Sequence, residues 1–540
     1  MKIYNQKGEM SMILDYTVKL SLKDGPMQIT GRTELAPGAN HLALPLPEGK
    51  LRSVKATLRR PCAEHERIFM NGFQTWTYCP EYRRGDRIRG LSHLPRAAVR
   101  HYGLDRYGDN YFVPYPNRAG HFHGESWCYF RLGERFTLLA SLDEEPGYTL
   151  FSYDARRGVL TLERDCEGLG CGGGFHAFDL YLAEGAEDAV FDGWFDALGV
   201  RPRTAEKLTG YSSWYNRYQD ISSQSIADDL RGCAQVLRPG DLFQIDDGWE
   251  PFVGDWLETD RKKFPDGLRP LVEEIHARGF QAGLWLAPFV AQKGSALYQE
   301  HPDWFYRVDG KPWYCGVNWG GFYALDIDNA AVVDYLERVF CRVFDEWGFD
   351  LVKLDFLYGA APFGNERESR AGRMRRAMEL LRELCGDKLI LGCGVPLMPA
   401  FGLADYCRVS CDVGLDWDGS WLMRQTHRER VSTRQAIGNS IFRRQLNGRA
   451  WLSDPDVFFL REDNLKLTQE QKEKLATVNA LFGGMLLCSD DMSAYTGAAR
   501  AFYEKLLRIR DAQDVRVEND DALRVSYTLD GERYTLTIPE

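Results

Sequence analysis

From about residue 205 to residue 512, short apolar runs alternate with longer amphipathic segments. No other feature of the chain restricts its fold as much. The runs are LTGYSSWY, DLFQIDD, QAGLWLA, LVKLDF, LILGCG, CRVS, WLSDPD and MLLCSDD. Between and after them lie segments such as SIADDLRGCAQVL, LRPLVEEIHARG, ESRAGRMRRAMELLREL and AARAFYEKLLRIRDAQ, in which apolar residues return every three or four positions. The fifth such segment, near MPAFGLA, is short. Eight strands, each followed by a helix, predict an α/β chain with a central (β/α)8 TIM barrel.

The flanks have a different texture. The first 203 residues carry short alternating runs, YTVKLSLKD, LRSVKATLRR, RFTLLASLD and GVLTLERD, separated by Gly, Pro or Asp turns. Helical periodicity is nearly absent there until AEDAVFDGWFDAL. This predicts an N-terminal β-sandwich domain over 1–203, with the boundary in the polar stretch LGVRPRTAEKL. The barrel then covers 204–512. Residues 513–540 alternate around an Asp-Gly turn and predict a small C-terminal β-domain, a hairpin or short sheet.

Charge and cysteine usage exclude several function classes. With 67 Lys and Arg against 78 Asp and Glu, the net charge is −11, which disfavours a binder of nucleic-acid phosphates. No run approaches the ~18 apolar residues of a membrane span. The 13 cysteines have no CxxC pair, so reduced thiols and a cytoplasmic location are expected. The first residues show no apolar leader. His121 and His123 alternate on a strand but have no spaced Cys or carboxylate partner, so no metal or cofactor is expected. The CEGLGCGGG stretch reads as a Gly-rich turn.

In a (β/α)8 barrel the chemistry lies at the C-terminal ends of the strands. Those ends carry Trp214, Asp246 and Asp247, Trp285, Lys353 with Asp355, Cys393, Arg408 followed by Asp412, Asp454 with Asp456, and Asp490 with Asp491. None of the ten His falls there. A ring of carboxylates without His favours glycoside hydrolysis, which needs one carboxylate at the reacting carbon and another to move a proton, over a metal hydrolase. Trp214, Trp249 and Trp285 offer flat faces for a sugar. Asp454, Asp456, Asp490 and Asp491 read more readily as turn and cap residues. Lys353 and Asp355 are two apart on an apolar strand and face the same way, a costly pairing unless it is matched or functional. Arg408 and Asp412 read equally as a local ion pair.

The runs QIDDGW, GLWLAPF, LVKLDFLYGA, LILGCGVPLMPAFGLADYCRVSCDV and WLSDPDVFFLRE, in this order and spacing, resemble glycoside hydrolase family 36, the melibiase or α-galactosidase family, in its compact bacterial form. HPDWFYRVDGKP, ALDIDN and NGFQTWTYCP extend the likeness to nearly the whole chain. The sequence departs from it in detail: KLD stands where larger members read KWD, Cys411 stands where Pro is common, and the loops GLDWDGSW and CGVNWGG have no close counterpart.

The resemblance implies a retaining, exo-acting α-galactosidase that removes terminal α-galactose from oligosaccharides through a covalent glycosyl-enzyme. Asp355 falls on the nucleophile and Asp412 on the acid/base, ahead of the nearby acids Asp405, Asp416 and Asp418. Asp246 and Asp247 fall on residues that bind the 4- and 6-hydroxyls, Lys353 on the 3- or 4-hydroxyl, and Arg408 on the 2-hydroxyl. Trp214 and Trp285 would wall the pocket, Cys393 would line it, and Trp76 would reach over it, from the same chain or a neighbouring subunit. An α-N-acetylgalactosaminidase and an α-galactosyl transglycosylase are the alternatives within the family. The likeness is also compatible with a homo-oligomer, since members often form dimers or tetramers.

Overall fold

Alternating side chains build the first part of the molecule. Along the strand Gly38–Arg59, buried and exposed residues alternate with a few interruptions, as a sheet with one covered face requires. The computed structural model describes residues 3–4, 10–102, 104–105, 108–113, 116–419 and 421–539. Within them, Gly38–Arg59 lies near the middle of a 12-stranded antiparallel sheet. It pairs with Val159–Arg164 and then Gly170–Gly185 along one edge, and with Met10–Leu22 along the other. The glycine stretch is more than a turn. Gly170 onward is already strand, with register shifts between Cys171 and Gly173 and between His176 and Phe178. Gly173, at φ 77°, supplies the left-handed residue that the first irregularity uses.

The helix Glu187–Leu198 follows and buries Phe191 and Trp194. Gly199, at φ 66°, ends it, and the chain crosses in coil to the next strand at Leu208. From there parallel strands and helices alternate. The strands form one nine-membered sheet in the spatial order Leu452–Asp454, Tyr406–Arg408, Leu389–Gly392, Leu351–Leu354, Gln281–Leu286, Leu242–Ile245, Leu208–Ser212, Met485–Cys488, Val457–Phe458. The first and last are pieces of one stretch of chain. Pro455 has no N–H for the ladder, and Asp456 turns at φ 77°, so the stretch WLSDPDVF forms two short strands instead of one. One piece pairs with Tyr406–Arg408 and the other with Met485–Cys488, so the sheet curls back on itself. The Gly484 N–H also donates to the Ser453 carbonyl at 2.8 Å.

The first of these strands is shorter than LTGYSSWY predicts. It stops at Ser212, and Trp214–Arg217 is a single helical turn. Ser489 Oγ causes the break by accepting the N–H groups of Tyr215 and Asn216 at 3.0 and 3.1 Å. Near MPAFGLA only the 3-10 turn Met398–Ala400 forms. After the last helix, Gly497–Ile509, the chain makes three antiparallel strands, Gln513–Asn519, Leu523–Leu529 and Glu532–Ile538. Asp530 and Gly531 turn at φ 52° and 83°, as a tight two-residue hairpin needs.

One hydrophobic cluster joins the parallel sheet, its helices, Phe191 and Trp194, and Val525, Tyr527 and Ile538 of the terminal strands. A second fills the antiparallel sheet. All 13 cysteines are free thiols. Among the described residues no helix is long and apolar enough to cross a membrane.

Candidate active site

Parallel strands share one rim at their C-terminal ends, so residues distant in sequence meet there. Asp246 and Asp247 follow the strand Leu242–Ile245. Lys353 lies within Leu351–Leu354, and Asp355 follows it. Arg408 closes Tyr406–Arg408, with Asp412 four residues on. The strands that lead to Asp355 and Asp412 flank Leu389–Gly392, so they are one strand apart rather than adjacent.

Asp246 is tied down on every side. Its N–H donates to Ser213 Oγ at 2.9 Å. Its Oδ2 accepts from Lys353 Nζ at 2.9 Å and Gln244 Nε2 at 2.8 Å, and its Oδ1 accepts the Asp247 N–H at 3.0 Å. Burial lowers the Lys353 pKa, but Asp246 and Asp355 outweigh it, and the ammonium is held firmly charged. Asp247 has two side-chain donors on one oxygen, and the buried Glu250 carboxyl, its pKa pushed up by burial and by Asp247, lies against it. Its Oδ2 accepts from Gln219 Nε2 at 2.9 Å and Trp319 Nε1 at 3.0 Å. Its Oδ1 is buried without a hydrogen-bond partner among the described residues.

Asp355 is buried. Its Oδ2 accepts the Trp285 indole N–H at 3.1 Å, and its Oδ1 accepts the Phe356 N–H at 2.8 Å. The latter bond requires the left-handed turn at Phe356, φ 52°. The buried Cys393 thiol lies near this carboxylate and favours its ionised form. Burial pushes the Asp355 pKa up; Lys353, Cys393 and Trp285 oppose it without cancelling it, while Asp412 adds to the rise. Lys353 therefore moderates Asp355 but does not bring it below the ordinary carboxylate range.

Asp412 is the open member, with 42% of its side chain exposed. Its Oδ1 accepts from Arg408 Nη2 at 2.8 Å. The same nitrogen lies 3.0 Å from Oδ2 of Asp456, and that oxygen also accepts from Tyr215 OH and the Val413 N–H, each at 2.8 Å. Burial first, then Asp412 and Asp454, raise Asp456 to about 6 against the pull of Arg408. The turn-residue reading of Asp454 and Asp456 was incomplete. Both pair with Arg408, and Asp454 Oδ1 accepts the Asp456 N–H at 2.9 Å. Asp490 and Asp491 do fit that reading: the first accepts the N–H groups of Leu460 and Arg461, and the second caps the turn at Met492–Ala494. The acids near Asp412 are engaged elsewhere. Asp405 pairs with Arg382, Asp418 with Arg430 and Arg434, and Asp416 closes a turn to Gly419.

The aromatic residues divide. Trp249 is fully buried, donates to the Trp285 carbonyl at 3.0 Å, and is core rather than a sugar face. Trp285 is only 2% exposed and acts on Asp355 through its N–H rather than as an open wall. Trp214 is half-buried, edge-on to Tyr218 at 5.3 Å. Trp76 reaches the rim from within the same chain and meets Phe356 edge-on at 5.1 Å. Gly394 makes room for it: a Cβ there would lie 2.9 Å from the Trp76 ring. Trp319, half-buried and at φ 53°, joins the group 5.0 Å from Phe356. Gln219 had no motif to mark it, while Tyr215 ends the run LTGYSSWY and Trp319 lies in CGVNWGG, neither read as a site residue from the sequence. His121 and His123 are not at this rim; His123 is buried beside Arg428 and Asp109. Among the described residues no group of three or more His, Cys, Asp or Glu could hold a metal.

Residues 207–380 match the Melibiase family. A stretch of 160 residues is 30% identical to the α-galactosidase AgaA of Geobacillus stearothermophilus, and one of 152 residues is 30% identical to an α-galactosidase of Escherichia coli. These stretches are 28% and 26% of this chain, and each covers 21% of the curated relative's length. Over 92% of this chain and 98% of the other, the structure is similar to TtGalA, an α-galactosidase from Thermus thermophilus solved with p-nitrophenyl α-D-galactopyranoside, with TM-score 0.72 and 29% identity. The crystal structure of AgaA shares the fold at TM-score 0.58 and 13% identity, over 94% of this chain and 78% of that one. Over residues 207–380 the chain is similar to the melibiase family, and its fold is similar to that of the α-galactosidases of glycoside hydrolase family 36.

Proposed function

We propose that this chain is a retaining, exo-acting α-galactosidase that hydrolyses terminal α-galactosyl residues of oligosaccharides. The relative arrangement of Asp355 and Asp412 carries the reading. One carboxylate is buried and fixed by two N–H donors, and the other is open at the same rim. Asp355 attacks C1 of the galactosyl unit while Asp412, protonated, gives its proton to the departing glycosidic oxygen. The glycosyl-enzyme ester then takes up water. Asp412, now a base, accepts the water proton, and Asp355 leaves as carboxylate.

The unpaired Oδ1 of Asp247 is the acceptor for a sugar hydroxyl, since a buried oxygen left without a donor is costly. Asp246 and Lys353 hold one another and present their remaining valences to neighbouring hydroxyls, and Arg408 addresses the 2-position. Trp76, Trp214 and Trp319 bound the space around the ring. We further read the curled sheet as a closed (β/α)8 barrel over 204–512, with its seventh strand interrupted at Pro455. A β-sandwich over 1–203 supplies Trp76, and the sheet over 513–540 is a small C-terminal domain. The free thiols suit a cytoplasmic enzyme.

Rates on p-nitrophenyl α-galactoside and on its α-N-acetylgalactosaminide test the proposal. The expected result is turnover of the first well above the second. Activity confined to the second would contradict it.

A further inference from the structure

A cavity of about 750 Å3 lies where the antiparallel sheet, the helix Thr433–Phe442 and the C-terminal strands meet. No residue of the Asp355–Asp412 cluster lines it. Its wall is basic. Arg67, Arg83, Arg87, Arg89 and Arg434 face it, against two carboxylates, Glu81 and Asp86. Both carboxylates are already engaged. Arg131 holds Glu81 through two parallel bonds of 2.8 and 2.7 Å, and Asn519 Nδ2 adds a third at 3.1 Å. Asp86 accepts the Arg83 N–H at 2.6 Å.

Arg67 is the most constrained of the five. It is 5% exposed and sits directly opposite Arg131 across the strand pair, two like charges in register. Among the described residues it has no carboxylate in ion-pair range, and its guanidinium donates to the Asp520 carbonyl. Burial, and then Arg83, push its pKa down. Arg87 and Arg89 are exposed at the rim and make no ion pair among the described residues. Arg434 is shared with Asp418 at 3.1 Å. Glu81 and Asp520 attract Arg67 only in part against burial and Arg83, so a bound anion would relieve a guanidinium that lacks a direct ion pair among the described residues. The guanidinium fork matches phosphate oxygens in pairs. The volume falls in the range of small-molecule sites, and Phe442, Leu523 and Ile538 give it an apolar side.

We propose that this cavity binds a small organic anion bearing phosphate, with Arg67 at its floor and Arg87 and Arg89 at its rim holding the phosphate oxygens. Isothermal titration of the full chain with inorganic pyrophosphate, at about 0.15 M sodium chloride to screen non-specific attraction, tests this without reference to glycoside turnover. The expected result is saturable binding at one site. The double variant Arg87→Ser/Arg89→Ser, which changes only exposed side chains, should bind at least about tenfold more weakly with an unchanged melting temperature in the absence of anion. Absence of saturable heat would overturn the proposal. So would equal affinity in the double variant, or a response reproduced by sodium chloride of the same ionic strength.

Discussion

The indole N–H of Trp285 donates to Oδ2 of Asp355 at 3.1 Å, and so a residue of one strand fixes the carboxylate that follows its neighbour. Trp285 has almost no exposed surface, which makes this bond its contribution to the site. Trp285→Phe keeps the ring and removes the donor. A hydrogen bond to a charged group contributes about 1.5–3 kcal/mol, so kcat should fall by roughly ten- to a hundredfold. The bond favours the ionised form of Asp355. The acidic limb of the pH profile of kcat/KM should therefore move to higher pH. A rate loss with an unmoved profile would separate Trp285 from the ionisation of Asp355.

Lys353 and Asp246 form a buried ion pair at 2.9 Å. Lys353→Met leaves Asp246 uncompensated and should cost about 3–5 kcal/mol of stability, read as a lower denaturation midpoint. Lys353→Met/Asp246→Asn removes both charges and should recover part of that loss. Activity should not return, because both polar groups are lost from the rim.

Asp456 holds Arg408 and the Val413 N–H, the two groups that position Asp412. Asp456→Asn should slow substrates with poor leaving groups by roughly ten- to a hundredfold more than activated phenyl glycosides, as misplacement of a general acid does. Asp412→Ala should show the same pattern more strongly. Equal losses on both substrate types would remove the acid role.

Glu144 is buried and raised to about 7, chiefly by burial. A carboxyl whose folded pKa lies above its unfolded value binds more protons folded than unfolded. Its contribution is complete below about pH 4.3 and is lost as pH rises towards 7. Glu144→Gln should flatten the fall in melting temperature between pH 5 and pH 8, and the variant should gain most at pH 8. Parallel curves for the two proteins would contradict this.

Periodicity located the elements because each parallel strand is buried on both faces and each helix has one apolar stripe. LVKLDF and LRPLVEEIHARG carry those patterns openly. Interruptions made by partners distant in sequence were illegible. Ser489 stops the first strand at Ser212 in this way, whereas the break in the seventh comes from Pro455 and Asp456 within WLSDPD itself. In the site, Lys353 and Asp355 stood out because two charges on one apolar strand need a reason. Asp456 did not stand out, since Asp-Pro-Asp is also an ordinary turn and its partner Arg408 lies 48 residues away. Trp249 and Trp285 looked alike in sequence, yet the first is core and the second a hydrogen-bond donor, a difference set by which indole N–H meets a carboxylate. Trp319 lies on a loop with a left-handed backbone, where no periodicity operates.

The central claim is that Asp355 is the nucleophile. Asp355→Ala leaves a gap at the rim that a small anion can fill. Turnover of p-nitrophenyl α-galactoside by this variant, followed with and without azide and with the product identified by NMR, tests the claim directly. The expected result is negligible turnover alone, restoration by azide, and β-galactosyl azide as the product. Substantial turnover without azide, or an α-configured product, would contradict it.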